Sequence, residues 1–167
     1  TADSSTLEFL RKGLPEVPLF IWDARCHGKS QVDEEATVSK MAADLRFFID
    51  HVYSLKLPLV ILGHSMGALT LWETIQNSGT RGMHQIIVVD QSPKLLTDET
   101  WNLGIYGNYP RSKNQEMITE FEKDLGNGVI TLSTSGLNQE YNQVFQAHPE
   151  FFYQRKRNFS ENQARGM

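Results

Sequence analysis

A serine stands between two glycines in Gly63-His64-Ser65-Met66-Gly67, directly after the apolar run Leu59-Val60-Ile61-Leu62. Apolar residues at helical spacing follow it: Ala68, Leu71, Trp72 and Ile75. A strand that breaks sharply into a helix lifts one side chain onto a tight turn, and a serine there is an exposed nucleophile with small neighbours. Gly63 and Gly67 are the elbow glycines, expected to let strand and helix backbone close around Ser65. The chemistry of such a serine is acyl transfer: the hydroxyl attacks a carbonyl carbon and a base accepts its proton. Asp90 ends a second apolar run, Ile86–Val89, at the edge of a parallel sheet where ligand chemistry gathers. Neighbouring strands lie about 4.8 Å apart, which leaves room for an imidazole between Ser65 and Asp90. A turn-forming aspartate ahead of Ser92-Pro93 is the other reading of Asp90.

The elements that must position these residues follow from periodicity. A capping box at Ser5-x-x-Glu8 opens a helix expected over Ser5–Lys12, and Gly13 and Pro15 stop it. Val17–Asp23 reads as a strand and residues 24–33 as a loop. Val38, Met41, Ala42, Leu45, Phe48, Ile49 and Val52 form one helical stripe. Leu59–Leu62 is the second strand, the stripe after the elbow is a helix closed by Asn77-Ser78-Gly79, and Ile86–Val89 is the third strand. The pattern is α-β-α-β-α-β, and the strands do not alternate, as expected where a parallel sheet is buried on both faces. Beyond Gln91 the chain turns polar and aromatic, with Trp101, Tyr106 and Tyr109 as residues that could line or roof a pocket. Ser112-x-x-Gln115 opens a helix, Gly126-Asn127-Gly128 reads as a turn, Leu137–Phe145 as a second helix and Phe151–Tyr153 as a third short one. The expected organisation is a core over residues 1–92, a helical lid over 93–157 and a frayed tail over 158–167.

With 167 residues the chain can bury a real core, and its net charge of −4 is interspersed. The basic stripe of a nucleic-acid or anionic-membrane binder is missing, and no apolar stretch approaches the roughly 20 residues that span a bilayer. Cys26 is the single cysteine, which rules out an internal disulfide and a cysteine-based metal cluster and points to a reducing, cytoplasmic setting.

Three motifs in fixed order resemble the α/β-hydrolase superfamily, in the form of its small bacterial esterases and cofactor-free haloperoxidase-like members. Asp23-Ala24-Arg25-Cys26-His27-Gly28-Lys29-Ser30 is similar to its Asp-x-Arg-Gly-His-Gly-x-Ser loop, with Cys26 in the place of a glycine. Gly63–Gly67 is similar to its nucleophile elbow, and Val88-Val89-Asp90-Gln91-Ser92-Pro93 to the strand end after the elbow helix. The resemblance covers Ser5 to about Tyr109. It implies a partial α/β-hydrolase fold, a mostly parallel sheet flanked by helices. It implies Ser65 as nucleophile, the Met66 N–H as half of an oxyanion hole, Asp90 as an acid some members use, no metal and no cofactor. The substrate it implies is a small ester-type molecule, with neither nucleic acid nor membrane as partner.

The resemblance also sets a difficulty. The family places its base histidine after the last strand, and none of His27, His51, His64, His84 and His148 stands there. It also places further strands before Thr1 and beyond Met167, so the expectation is a piece of a longer hydrolase. The leading reading is a carboxylic ester hydrolase acting through Ser65. The alternatives are an inactive fragment without its base, and a haloperoxidase- or perhydrolase-like activity in the full-length protein.

Overall fold

The computed structural model describes residues 4–30 and 36–135, with 143, 147 and 148. The chain divides into two compact units, residues 35–109 and residues 1–34 with 110–167. Of the helices expected at 137–145 and 151–153 and the tail at 158–167, all but residue 143 lies outside the described residues.

The unit of residues 35–109 holds the motif-bearing elements. Helix α1 (Val38–Phe47) starts at Thr37, whose hydroxyl accepts the Lys40 N–H at 3.3 Å, and it runs on through a wider π turn at Phe48–Val52. Strand β1 (Val60–His64), helix α2 (Met66–Ser78) and strand β2 (Gln85–Val89) follow as a βαβ unit. The strands pair in parallel, Val60 opposite Gln85 through His64 opposite Val89.

The core of this unit is Leu45 and Ile49 from α1 and its π turn with Leu71 from α2. Phe48, Leu59, Ile61, Met83 and Ile86 pack against them. The two helices touch through small or compact residues: Ala42, Ala68, Thr70 and Thr74 are all buried. Buried hydroxyls need acceptors, and Thr74 Oγ1 donates to the Thr70 carbonyl at 2.7 Å within its own helix, so the interface carries no stranded donor there. At the far end Arg46 forks the Asp50 carboxylate and donates to the Arg81 carbonyl at 2.8 Å. That ties the end of α1 to the turn that feeds β2.

Two expectations are corrected here. The strands are not buried on both faces. They alternate, with Ile61 and Ile86 turned to the core and Val60 (48% exposed), Leu62, Ile87 and Val89 (39%) left open, because α1 and α2 pack on one face only. Val17–Asp23 forms no strand either. A strand exists through its ladder, and among the described residues no strand pairs with this segment, in which Pro18 also removes one donor.

In the other unit the described residues form helix α3 and helix α4, a hairpin over Arg111–Lys123 and Leu125–Ser135, and a short N-terminal helix at Glu8–Gly13 entered by a 3₁₀ turn at Ser4–Leu7. The expected turn at Gly126-Asn127-Gly128 is instead the first part of α4. Asp124 caps it, accepting the Asn127 N–H at 2.9 Å and the Asn127 amide at 2.7 Å. Gly128 serves close packing, since a Cβ there would run into the Phe121 ring. Ser112 does not cap α3, which starts from Pro110 without a side-chain cap.

The Asp23–Ser30 loop is built around one carboxylate. Asp23 accepts the N–H groups of Lys29 at 2.8 Å and Ser4 at 2.6 Å, and its carbonyl accepts the Ser30 hydroxyl at 2.6 Å. Cys26 adopts φ +61°, the left-handed conformation a glycine would take without strain, and Gly28 follows at +51°. Buried His27 points Nδ1 at the Arg25 carbonyl, 2.8 Å away; a carbonyl only accepts, so Nδ1 carries the proton.

Leu71 is 1% exposed, so Leu71→Ala should cost about 2–5 kcal/mol in urea unfolding. Partial burial works against the Asp23 charge, yet the Lys29 and Ser4 N–H groups outweigh it and hold its carboxyl below the usual range. Stability from this group is therefore present above the unfolded value, near 4, and is lost as pH falls through the lower folded value. The Lys29 amide resonance should report that titration with a midpoint below 4; a midpoint at or above it would contradict the hub.

Candidate active site

Ser65 occupies the single residue between β1 and α2. The chain must leave an extended ladder and enter a helix within that residue, and it does so at φ +53°, ψ −118°. This is a strained conformation for any residue with a Cβ, of the kind that concentrates at functional sites. The Ser65 N–H donates to the Val89 carbonyl at 3.2 Å, so the turn begins while the backbone is still bonded to β2. The Ser65 carbonyl accepts from Ala68 (2.9 Å) and Leu69 (3.2 Å), so the helix begins at the same residue. The side chain is exposed.

The elbow glycines divide the work unequally. A Cβ on Gly63 would stand 2.6 Å from the Gly67 carbonyl oxygen and 2.6 Å from Leu71 Cδ1, so strand and helix touch there. A Cβ on Gly67 would meet no atom within 4 Å among the described residues. The expectation that both glycines are sterically required is corrected: the close approach uses the backbone of Gly67 and the missing side chain of Gly63. Met66 is the first residue of α2, and helix geometry leaves the N–H groups of a first turn without intrahelical acceptors.

Asp90 directly follows β2, as Ser65 directly follows β1, and the register His64 opposite Val89 sets the two at the same level of adjacent strands. Asp90 also takes a left-handed backbone, φ +52°, and is exposed. Two consecutive parallel strands thus each end on a strained, exposed residue that can do chemistry. Aspartate tolerates this conformation better than most residues, so the strain is smaller at Asp90 than at Ser65.

The three aromatic candidates sit in the loop that leaves Asp90. Trp101 is partly buried and forms an antiparallel bridge with Asp98. Nearby, the Lys94 ammonium and then the Thr100 hydroxyl and N–H hold the Asp98 carboxyl well below the usual range. Tyr109 is buried, and burial pushes its phenol up. Tyr106 is half-buried and left-handed at φ +58°. Periodicity could not reveal the stitching of this loop by Ser92 and Thr97; the Tyr106-Gly107-Asn108 turn signal is its one trace in the sequence.

Among the described residues no hydrogen bond joins a histidine to Ser65 or Asp90. His51 stacks on Phe47, with centroids 4.6 Å apart, and its Nδ1 lies 3.2 Å from the Phe47 carbonyl. His84 sits at the other end of β2, bonded through its N–H to Leu59. His64 ends β1 exposed, and His148 is exposed in the other unit.

Residues 14–95 match the family described as serine aminopeptidase, S33, a family of α/β-hydrolase fold. The matched stretch takes in the Asp23–Ser30 loop, the elbow and Asp90. No curated protein and no solved structure matches the chain significantly.

The unequal glycines give a direct test. Gly63→Ala should destabilise by about 1–3 kcal/mol through overpacking, whereas Gly67→Ala should be neutral or stabilise by up to about 1 kcal/mol as a better helix former. Urea titrations of the two variants check this; equal losses would contradict the assignment.

Proposed function

We propose that this chain, whose residues 14–95 match a family of α/β-hydrolase fold, is a serine hydrolase working by acyl transfer through Ser65. The observation that carries the reading is the left-handed Ser65 backbone between a parallel strand and a helix. Ser65 Oγ attacks the carbonyl carbon of the substrate while its proton passes to a base. The carbonyl oxygen becomes an oxyanion that the Met66 N–H receives, with the dipole of α2 in support. The intermediate collapses, the leaving group departs with the proton, and water repeats the cycle on the acyl-serine. Asp90, one strand along, orients the base. The base is the one role that no histidine among the described residues fills by a hydrogen bond.

A small, fairly apolar ester is the proposed substrate. Residues 93–157 are proposed as a lid segment, and Trp101, Tyr106 and Tyr109 as lid or pocket residues. No described helix is long and apolar enough to cross a membrane. One cysteine in the chain suits a reducing, cytoplasmic setting. The family description favours a second reading, cleavage of an amide bond next to a free amino terminus by the same serine. Turnover of p-nitrophenyl butyrate against an aminoacyl p-nitroanilide separates the two.

A fluorophosphonate probe should label the folded chain at one site, and Ser65→Ala should abolish the adduct in intact-mass measurement. Labelling that survives Ser65→Ala, or a folded wild-type chain that takes up no probe, would refute the proposal.

A further inference from the structure

Helix α2 turns one face to the core and carries that face to the end of the sheet. Leu71, 1% exposed, lies on it within the core cluster, and Gly67 stands four residues earlier on the same side. One helical turn separates a position that is shut from one that is open. Gly67 is exposed, and a Cβ on it would meet no atom within 4 Å among the described residues. The reason is the length of β1, which ends at His64 and leaves the first turn of α2 at the carboxyl edge of the strands. Ligands of open parallel sheets gather at that edge.

This turn has no room to retreat. The Gly67 carbonyl oxygen would stand 2.6 Å from a Cβ on Gly63, and the Thr70 hydroxyl donates to the Met66 carbonyl at 3.0 Å. The Gly67 backbone is therefore seated against β1 on one side and bare on the other. Neither the space around it nor its φ, which lies outside the left-handed region, calls for glycine. Helix formation favours almost any other residue. The bare side lies two residues from Ser65, which is exposed at the start of the same turn.

We propose that Gly67 is a specificity-determining residue: its missing side chain leaves room beside Ser65 for an acyl group branched at the carbon next to the carbonyl. This rests on the serine-hydrolase reading. With the carbonyl carbon on Ser65 Oγ and its oxygen on the Met66 N–H, the carbon that follows the carbonyl falls to the next position along the turn. A single methyl at that carbon is small enough to clear an added Cβ. A carbon bearing three methyl groups presents one of them in every rotamer. A side chain at position 67 therefore penalises the branched acyl group more than the acetyl group.

The test compares kcat/KM for p-nitrophenyl acetate and p-nitrophenyl 2,2-dimethylpropanoate in the full chain. With each ester, Ser65 Oγ loses its proton to a base and bonds the carbonyl carbon, and p-nitrophenolate leaves with the electron pair of the broken C–O bond. The wild-type chain should turn over both. Gly67→Ala should lower the branched-to-acetyl ratio by about tenfold or more, the effect of one misplaced methyl group in a pocket. Gly67→Ser adds the same Cβ and should lower the ratio likewise, which separates bulk from apolarity. A wild-type chain that accepts acetate alone, or an unchanged ratio in either folded variant, overturns the inference and leaves the serine-hydrolase reading standing. Loss of the fold in both variants, read by urea unfolding, overturns it as well, since the space would then not be open. A wild-type chain that turns over neither ester overturns the inference, and fluorophosphonate labelling of Ser65 then decides whether the serine-hydrolase reading falls with it.

Discussion

The ladder between Val60–His64 and Gln85–Val89 runs one bond past its last paired residues, where the Ser65 N–H still holds the Val89 carbonyl. The Ser65 carbonyl already serves the helix, accepting from Ala68 and Leu69. One residue is thus claimed by two regular structures with incompatible dihedrals. Neither set of bonds can relax without losing the other, so the mismatch falls on the Ser65 backbone. The positive φ is the geometric result, and it leaves the hydroxyl exposed.

The same ladder sets the neighbour. In-register parallel pairing brings the residue after β2 level with the residue after β1, so the register of ten residues sets Asp90 beside Ser65. The packing beneath holds that register. Ile61 and Ile86 lean on Leu45, Ile49 and Leu71, while Gly63 gives way to the Gly67 backbone and Leu71. A shift of one residue would turn the open side chains of Val60 and Leu62 into the core and carry Ser65 away from Asp90.

Much of this was legible in the sequence, and the divisions have physical causes. The stripe Met41, Leu45, Ile49 predicted its helix because burial on one face imposes a 3.6-residue period, and all three residues are buried. The elbow was legible because an apolar run, two glycines and a second stripe are each local signals. Val17–Asp23 misled because a strand is a property of two segments, and apolar composition names only one of them. Gly126 and Gly128 misled because glycine marks close packing as well as turns; the Asp124 cap and the Phe121 ring decide between these uses, and neither shows in a local window. The left-handed backbones of Asp90 and Tyr106 were hidden because neither residue type marks a positive φ in the sequence as glycine does.

The central claim is that tertiary structure holds Ser65 in a conformation that its Cβ resists. Comparing Ser65→Gly with Ser65→Ala in urea unfolding tests it most directly, since both remove the hydroxyl and differ only in the Cβ. Glycine ordinarily lowers stability relative to alanine by about 0.5–1 kcal/mol, whereas relief of a left-handed φ returns about 1–2 kcal/mol. The account predicts that the glycine variant is the more stable of the two. An alanine variant as stable as the glycine variant, or more so, would contradict it.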